Sequence, residues 1–511
     1  MIKLFKVIFH RSIWVVALML VQLLIIMGLT LQFSTYFVYF DYFFMLLSLV
    51  IVVGILNNGK SNPTYKIAWV IIILILPVFG GLFYLVFGRR HLNRREKGEM
   101  DAIDRKMREA FPNNSVLSQM RFHSRTATAQ SHYITEYAIS PPHSNTLTEY
   151  LPTGELFFER LKQELAKAQH YIFMEYFIIE RGKMWDSILD ILAAKAKEGV
   201  EIRLIYDDMG CITKLPHGYY KTLRKLGLKC LVFNPFRPVL NASFNNRDHR
   251  KITVIDGKVG FTGGINLADE YINAKELYGH WKDTAIMLKG AAVFNLSVMF
   301  LSLWMYLSGD DEDFNTFRAH AYEDGYGAGG YVQPYADSPL DNEPVGQNVY
   351  LNLIQRAKEY VYITTPYLVI DNEMTQALCL AAKGGIDVRI ITPHIPDKRY
   401  VHAVTRAYYE PLVETGVKIY EYLPGFIHAK SFVVDDQYGV VGTINMDFRS
   451  LYLHFECGVW LYDTTATIKA IKEDFLDTVK ASYRISLKEC RTIPWYTRLS
   501  RMLLRAFSPL M

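Results

Sequence analysis

The stretches DHRKITVIDGKVGFTGGINLADEY (248–271) and IHAKSFVVDDQYGVVGTINMDFRS (427–450) follow one pattern. Each contains His-x-Lys, has an aspartate seven residues after the histidine, and has an asparagine 17 residues after it. At ordinary residue frequencies, a single His-x-Lys-x4-Asp string arises by accident in roughly a few per cent of chains of this length. Two such strings with matching asparagines indicate two copies of one structural unit.

The predicted strands and helices around these stretches repeat as well. Residues 170–179 have the aromatic and β-branched character of a strand, 185–199 have helical periodicity, and 200–208 form another strand. The same order recurs at 360–370, 372–385 and 386–394. A strand–helix–strand order predicts a parallel sheet. We therefore predict an α/β fold of two repeated lobes, related by a pseudo-two-fold axis, with one shared active site between them.

The histidines and lysines of the two motifs suit chemistry at a phosphodiester. His249 and Lys251 are two residues apart, as are His428 and Lys430, so each pair shares one face of a strand. The lysines would neutralise the phosphate and the charge that develops during transfer. One neutral histidine can attack phosphorus and form a phosphohistidine, while the other, protonated, donates to the leaving alcohol. This scheme needs no metal ion or cofactor, and we predict none.

The aspartates and asparagines that follow the two histidines at matching distances are expected in or near turns rather than within strands. Asp256 and Asp435 each stand where a strand ends, so they are expected to orient the site rather than react, since an aspartate before a turn often caps it. Asn266 and Asn445 follow a second short strand, close to a glycine that lets the backbone approach a ligand. We predict that the asparagines bind substrate.

Three apolar runs precede the repeats, at residues 13–33, 37–56 and 67–87. Each has about the 20 residues that a helix needs to cross a bilayer, so we predict an N-terminal module of transmembrane helices over residues 1–95. Basic residues at both ends of the module favour the same side of the membrane, which leaves the number of crossings open. The basic cluster after the third run is the stronger signal and places the catalytic part in the cytoplasm.

The rest of the chain divides by composition. We predict a linker or loosely attached helix at 96–130, a first lobe at 131–320, a connection at 321–345, a second lobe at 346–485 and a basic amphipathic segment at 486–511. In that last segment, PWYTRLSRMLLRAF (494–507) fits either a helix at an anionic membrane surface or an amphipathic helix packed on the domain. The apolar stretch 294–307 is too short to span a membrane and is predicted to lie in the core.

The whole-chain composition excludes little. Half of the 511 residues are hydrophobic and the net charge is +5, a balance that suits an anionic membrane surface and nucleic acid equally well. The five cysteines are scattered without a CxxC pair, so neither a disulfide framework nor a zinc site is indicated.

The two motifs resemble the paired HKD motifs of the phospholipase D superfamily. Further strings are similar to its bacterial cardiolipin synthase branch: IYDDMG (205–210), FNNRDHRK (244–251), TGGIN (262–266), TPY (365–367) and PGFIHAKS (424–431). The apolar segment 67–90 is similar to the membrane module that precedes the catalytic part in that branch. The resemblance covers essentially the whole chain.

This resemblance implies a reaction and a set of site residues. Two phosphatidylglycerols would give cardiolipin and glycerol through a phosphatidyl-histidine, in the cytoplasmic membrane of a bacterium. Phosphatidylglycerol and anionic membrane lipids are the expected partners, and nucleic acid is not. By position, the family's catalytic residues correspond to His249, Lys251, Asp256, His428, Lys430 and Asp435, and its phosphate-site asparagines to Asn266 and Asn445. By analogy, His249 is the nucleophile and His428 the acid/base.

Three other functions share part of this evidence. A phospholipase D that hydrolyses phospholipids to phosphatidic acid would use every one of these residues, with water as the acceptor. A phosphodiester nuclease would need a basic stripe with aromatic platforms and has no use for a membrane module. An inactive scaffold would have lost part of at least one motif, and both motifs are intact.

Overall fold

The computed structural model describes residues 20–25, 27–29, 31–32, 38–59, 62–76, 79–88, 94–112, 115–236, 245–318, 329–341 and 343–510. Residues 13–19, 26, 30 and 33 of the first predicted apolar run and residues 321–328 of the predicted connection lie outside these ranges.

The strands of the described residues, labelled in chain order, form two large sheets and two small pairs. They are β1 Thr146–Leu151, β2 Tyr171–Tyr176, β3 Glu201–Asp207, β4 Lys229–Phe233, β5 Arg247–Asp248, β6 Lys251–Ile255, β7 Val259–Gly263, β8 His280–Lys282, β9 Ala285–Gly290, β10 Tyr331–Asp337, β11 Tyr360–Thr364, β12 Leu368–Val369, β13 Asp387–Pro393, β14 Lys418–Tyr422, β15 Gly425–Ile427, β16 Ser431–Val434, β17 Tyr438–Gly442, β18 Met446–Asp447, β19 His454–Tyr462 and β20 Ser482–Arg484.

The predicted repeat is confirmed by the strand order of the two sheets. The first sheet runs β1-β9-β7-β6-β2-β3-β4, and the second runs β10-β19-β17-β16-β11-β13-β14-β20. Position by position, the first seven strands of the two paths correspond, and β20 extends the second sheet at its edge. Two α/β lobes therefore share one topology.

The prediction of a parallel sheet is correct for only part of each lobe. β2, β3 and β4 run parallel, as do β11, β13 and β14, because helices connect them. The motif strands are antiparallel instead: β6 pairs with both β2 and β7, and β16 pairs with both β11 and β17. A tight turn after each motif aspartate makes a hairpin, which returns the chain in the opposite direction.

Helices cover both sheets and fill the space between them. The described residues within 20–32 are helical, and the α-helices from residue 38 onward are Val38–Asn57, Pro63–Ile75, Phe79–Phe83, Arg94–Ala110, Ser115–His123, Arg125–Tyr137, Gly154–Leu165, Lys183–Lys197, Asp208–Cys211, Tyr219–Lys225, Val293–Ser308, Val345–Arg356, Asn372–Lys383, Arg399–Ala407, Tyr409–Glu414, Phe448–Tyr452, Thr465–Lys480, Leu487–Arg491 and Trp495–Phe507. A π-helical turn spans Tyr84–Gly88, and 3₁₀ turns span Asp269–Ile272, Phe314–Phe317 and Ser508–Leu510.

The apolar stretch 294–307 lies in the core, as predicted. It forms helix Val293–Ser308, most of whose side chains are buried against strands of both sheets. Phe300 stacks on Phe173 of the first sheet with ring centroids 4.7 Å apart. A helix that is apolar on all sides needs such complete burial, so this helix joins the two lobes into one core.

The segment 96–130, predicted as a linker or a loosely attached helix, is helical but packed firmly. It forms helices that continue to Tyr137 and pack on both lobes. Ile103 and Met107 enter the core between the sheets, and Met120 and Ala127 are fully buried in the second lobe. Only one side of each helix is apolar, and the many charged residues between these positions conceal that narrow stripe in the sequence.

The predicted connection 321–345 contains a strand. β10 is the edge strand of the second sheet and pairs with β19 along its whole length. Its Pro334 and polar residues suggest a loop in the sequence, but an edge position tolerates proline because one side of the strand needs no partner. The second lobe therefore begins near residue 331, earlier than the predicted residue 346.

The helices before residue 90 pack on each other and on the second lobe. Ile51 and Ile55 bury against Trp69 and Ile73. The predicted run 67–87 is interrupted: its first helix ends at Ile75, and Leu76, which directly precedes Pro77, has left the helical conformation with φ of −124° and ψ of 71°. A residue before proline is disfavoured in the helical conformation. Among the residues that the structure describes, no helix combines the length and the apolar character needed to cross a membrane.

Candidate active site

The two motif histidines lie where the lobes exchange short strands. β5, directly before His249, pairs in parallel with β19, and β15, directly before His428, pairs in parallel with β8. The His249 backbone N–H donates to the Phe455 carbonyl at 2.9 Å, and the His428 N–H donates to the Lys282 carbonyl at 2.7 Å. The backbone of the opposite lobe therefore holds each histidine.

The histidines precede the strands that the sequence predicted for them. β6 begins at Lys251 and β16 at Ser431, so each histidine lies just outside the ladder of its own sheet. The backbone hydrogen bonds to the opposite lobe replace the ladder bonds that each histidine lacks in its own sheet. This geometry brings both motifs to the boundary between the lobes, where the sequence predicted a shared site.

A buried carboxylate from the opposite lobe binds each imidazole. The Nδ1 of His249 lies 2.9 and 3.0 Å from the two carboxylate oxygens of Glu456. The Nδ1 of His428 lies 2.6 Å from Oδ2 of Asp283. Both carboxylates are fully buried. When Nδ1–H donates to the carboxylate, the lone pair resides on Nε2, so the pairs fix the tautomer in which Nε2 can attack or accept a proton.

The motif lysines lie beside the histidines and are buried with them. The Nζ of Lys251 donates to the His249 carbonyl at 2.6 Å, and the Nζ of Lys430 donates to the His428 carbonyl. Burial lowers the pKa of Lys251 to about 8 and that of Lys430 to about 7. These ammonium groups lack the solvation of water, so an anionic ligand would stabilise their charge strongly.

The same surroundings keep both imidazoles neutral. Burial, reinforced by the charges of Lys251 and Lys430, lowers the pKa of His249 well below its ordinary value. Burial and Lys430 lower the pKa of His428 to about 4. Burial alone would raise the pKa of Asp283, but His428 and Lys430 outweigh it and the net shift is downward. At neutral pH the pair is therefore an ionised carboxylate and a neutral imidazole.

The motif aspartates bind backbone amides. Each adopts a left-handed conformation, with φ of 51° at Asp256 and 53° at Asp435, which aspartate tolerates better than most residues. Each carboxylate accepts three consecutive N–H groups at the start of a central strand: those of Gln169, His170 and Tyr171 for the first, and those of Lys358, Glu359 and Tyr360 for the second. These bonds anchor each motif hairpin to the neighbouring strand.

The two asparagines differ in their surroundings. Asn266 accepts the Ile178 N–H at 3.0 Å and donates to the Tyr271 hydroxyl at 2.7 Å. The Tyr271 ring lies edge-on to the His428 ring, with centroids 5.6 Å apart. Asn445 is buried, and its Oδ1 has no hydrogen-bond partner among the described residues. A buried amide oxygen without a partner is costly unless a ligand or water satisfies it.

Three residues of this site escaped the sequence prediction: Asp283, Glu456 and His454. A signal for the two carboxylates was present, because Asp283 directly precedes TAIML (284–288) and Glu456 directly precedes CGVWL (457–461), at the same place in both repeats. The chain has 51 acidic residues, so a single aspartate or glutamate before an apolar stretch is not recognisable as a site residue by itself. His454 has no counterpart in spacing, and its ring lies 5.6 Å from that of His249.

Three residues of the site bring together side-chain atoms that can bind a metal ion, although the sequence did not indicate such a group. Within the described ranges, ligand atoms of His249, His454 and Glu456 lie within 4.8 Å of one another. Two imidazoles and a carboxylate could hold a divalent cation such as zinc. Glu456, however, also accepts the Thr443 hydroxyl and holds the His249 ring, so a cation here would compete with the contact that orients His249.

The sequence matches a known protein family over the two lobes that form this site. The family described as "Cardiolipin synthase, PLD-like domain" matches residues 161–296 and 350–478, the two lobes that contain the motifs. The chain belongs to this family. A second family, described as "Phospholipase_D-nuclease N-terminal", matches residues 46–89. Membership in the cardiolipin synthase family and phosphatidyltransferase chemistry are thus confirmed, as predicted from the motifs.

Relatives of the cardiolipin synthase family span nearly the whole chain. An uncharacterised protein of Streptococcus mutans is 43% identical over 89% of this chain and 98% of its own length. A cardiolipin synthase of Geobacillus thermodenitrificans is 36% identical over 91% of this chain and 92% of its own. A solved phosphatidylserine synthase of Haemophilus influenzae covers 76% of this chain and 98% of its own with a TM-score of 0.55, at 14% identity, and shares the fold.

We expect Asp256→Ala to act on stability more than on the reaction. The substitution removes an acceptor of three backbone N–H bonds, so the free energy of unfolding should fall by about 2 kcal/mol. Thermal unfolding followed by circular dichroism measures this loss, with specific activity per folded protein measured in parallel. Asp463→Ala is the matched control, because Asp463 has a similar φ of 57° at an exposed position. A hundredfold loss of activity at unchanged stability would contradict this role.

We also expect anion binding to weaken as the pH rises. The pKa values of Lys430 and Lys251, about 7 and about 8 in the free site, lie below the 10.5 of an exposed lysine, so raising the pH from 7 to 9 removes their charges. Competitive inhibition by tungstate, which stays ionised in this range, should weaken about tenfold over that interval. Lys430→Met should reduce the pH dependence, whereas Lys469→Met, at an exposed position, should preserve it. A pH-independent inhibition constant in the unmodified enzyme would refute the expectation.

Proposed function

We propose that this enzyme transfers the phosphatidyl group of one phosphatidylglycerol to the glycerol hydroxyl of another, giving cardiolipin and glycerol. The observation that carries the proposal is the pair of neutral imidazoles, each bound through Nδ1 to a buried carboxylate of the opposite lobe, with a buried lysine beside each. Two histidines fixed in this way suit one covalent step and one proton transfer at a single phosphate.

In the first half-reaction, His249 acts as the nucleophile. Its Nε2 forms a bond to phosphorus while the bond from phosphorus to the glycerol oxygen breaks. His428, protonated when the anionic phosphate is bound, gives its proton to that leaving oxygen, so glycerol departs as a neutral alcohol. The phosphate charge favours this protonation, since a nearby anion raises the pKa of an imidazole.

The second half-reaction reverses these roles for a new alcohol. His428 takes the proton from the glycerol hydroxyl of an incoming phosphatidylglycerol, whose oxygen attacks phosphorus and displaces Nε2 of His249. Cardiolipin leaves and both histidines return to their starting states. Lys251 and Lys430 stabilise the negative charge of the transition states, and the assignment of attack to His249 rests on the family resemblance.

Asn266 and Asn445 complete the proposed phosphate site. The unpartnered Oδ1 of Asn445 supports a role in binding, because its amide is buried at the end of the second motif. Asn266 would act through Tyr271, whose ring it holds beside His428. A site of this kind also carries out hydrolysis to phosphatidic acid if water replaces the second lipid, and this is the alternative function.

The assay for this proposal mixes purified enzyme with phosphatidylglycerol in detergent–lipid micelles without added metal and separates the lipid products. We expect cardiolipin with equimolar glycerol. His249→Ala and His428→Ala should each lower the rate by at least about 10³-fold, since each removes a covalent or proton-transfer step. His132→Ala, at an exposed position on a helix, is the matched control and should leave the rate unchanged.

Different reaction products or a different labelled residue would change the proposed function or the roles of the two histidines. Phosphatidic acid and glycerol without cardiolipin would assign the enzyme as a hydrolase. Rapid acid quench with phosphorus-labelled phosphatidylglycerol identifies the nucleophile: a labelled peptide that contains His428 rather than His249 would reverse the assignment of the two histidines.

We further propose that the N-terminal module is embedded in the bacterial cytoplasmic membrane, in more than one pass, with the lobes on the cytoplasmic side. The side chains of Leu46, Leu49 and Val53 on helix Val38–Asn57 are half exposed or more, which is unfavourable in water. Gly81 approaches Ser48 so closely that an added Cβ would lie 2.5 Å from its Oγ. Close contact through small residues is typical of helix pairs in membranes.

The C-terminal helix Trp495–Phe507 supports a membrane surface on the same side. Its outward face exposes Trp495, Leu499 and Met502, which lie three and four residues apart, while Arg501 and Leu504 face the protein. A helix packed only to cover the domain would bury its apolar face. The 3₁₀ turn after it, Ser508–Leu510, contacts helix Pro63–Ile75 of the membrane module. We propose that this helix lies at the headgroup level of an anionic bilayer.

We expect the combined substitution of Trp495, Leu499 and Met502 by serine to weaken the interaction with the lipid surface. In mixed micelles, the mole fraction of phosphatidylglycerol that gives half-maximal rate should rise about fivefold, since the apolar contact area is lost. The control replaces Phe122, Tyr137 and Leu226 by serine, because these exposed apolar residues lie elsewhere on the surface. Equal effects of the two triple variants would contradict a specific membrane surface.

A further inference from the structure

A cavity of about 830 Å³ lies between the N-terminal module and the second lobe. Helix Val38–Asn57 forms one wall with Leu47, Val50, Ile51 and Ile55, whose spacing places them along one face of the helix. The volume is in the range of pockets that bind organic ligands. This space is therefore large enough for a substantial part of a lipid molecule.

The lining of the cavity combines apolar and polar side chains. The wall from helix Val38–Asn57 is aliphatic, whereas Asn58, Asn62, Ser338 and Glu343 contribute polar groups at other parts of the lining. Asn62 donates to Asp371 at 2.9 Å and to the Tyr452 hydroxyl at 2.8 Å, which fixes the module against the second lobe at this place. A cavity with both characters suits an amphipathic ligand better than a wholly apolar or a wholly polar one.

The cavity adjoins the segment that carries Asn445. Phe448, Leu451 and Tyr452 line it, and all three belong to helix Phe448–Tyr452, which begins three residues after Asn445. β18, Met446–Asp447, connects the two. A lipid whose phosphate is bound beside Asn445 could therefore reach this cavity with its hydrocarbon portion.

The cavity also borders the outward face of the module. Gly54 lines it, and a Cβ added at Gly54 would meet no other atom within 4 Å. The neighbouring Val53 and Leu49 do not line the cavity and are half exposed or more on the face that we propose lies in the membrane. The opening at Gly54 is consequently next to the surface from which a bilayer lipid would enter.

We propose that this cavity binds an acyl chain of the phospholipid substrate while its phosphate occupies the candidate active site. The inference rests on the proposed function, because it names where that function holds the hydrophobic part of its substrate. The aliphatic wall would contact the chain, and the polar groups of the lining would contact the glycerol backbone. The enzyme would then favour long-chain over short-chain lipids.

Gly54→Phe tests the proposal by filling the cavity. For phosphatidylglycerols with long and with six-carbon acyl chains, we expect the ratio of kcat/KM, long over short, to fall about tenfold, which corresponds to losing the burial of about two methylene groups. Val53→Phe is the matched control, since it adds an aromatic ring one residue away but outside the cavity. The ratio should stay unchanged in this control.

The outcomes separate the inference from the proposed function. An unmodified enzyme that converts neither phosphatidylglycerol would refute the function, whatever the cavity does. A long-to-short ratio that Gly54→Phe leaves unchanged, or that both variants lower equally, would overturn the inference while the function stands.

A second measurement uses the unmodified enzyme, so it does not require that a variant fold correctly. The unmodified enzyme is irradiated with a phosphatidylglycerol that carries a photoreactive diazirine in its acyl chain, and labelled peptides are identified by mass spectrometry. Labels within 47–58 together with labels within 448–452 support the proposal. Labels confined to other segments, or no labels at all, overturn it.

Discussion

The structure depends on the exchange of short strands between the two lobes. Each motif histidine receives its backbone hydrogen bond and its carboxylate partner from the opposite lobe: Glu456 for His249 and Asp283 for His428. A single lobe would contain a histidine without its orienting group and a carboxylate without its imidazole. The reciprocal arrangement explains why the two copies form one site instead of two, and why helix Val293–Ser308 buries itself against both sheets.

The exchange also sets the electrostatic balance of the site. Two lysines, two histidines and two carboxylates are buried together, an arrangement that is unfavourable unless the charges compensate one another. Ionised Asp283 partly offsets Lys251 and Lys430, and the imidazoles respond by remaining neutral. The lysines are desolvated when the protein folds, before the substrate binds. A site preorganised in this way stabilises the charge of a transition state without further reorganisation.

The sequence predicted those features that depend on local pattern, and missed those that depend on distant contacts. The motif spacing and the repeated strand order identified His249, His428 and the two lobes, because each follows from residues close in the chain. Asp283 and Glu456 become partners only through pairing between the lobes, and one acidic residue before an apolar stretch in each repeat is too little local pattern to identify them. β10 contains Pro334, and only its edge position makes a strand there possible. The charged segment 96–130 concealed an apolar stripe too narrow to recognise.

The N-terminal module breaks the symmetry that the repeat creates. Asn62 binds Asp371 and Tyr452, and the C-terminal turn contacts helix Pro63–Ile75, so these attachments all involve the second half of the chain. The two motifs are related by topology, yet only the second lies beside the proposed acyl cavity and the proposed bilayer surface. Two histidines in equivalent folds therefore meet different surroundings. In an enzyme that must bind one lipid covalently and then admit another, this inequivalence supplies a physical reason for dividing the tasks of attack and proton transfer between the two motifs.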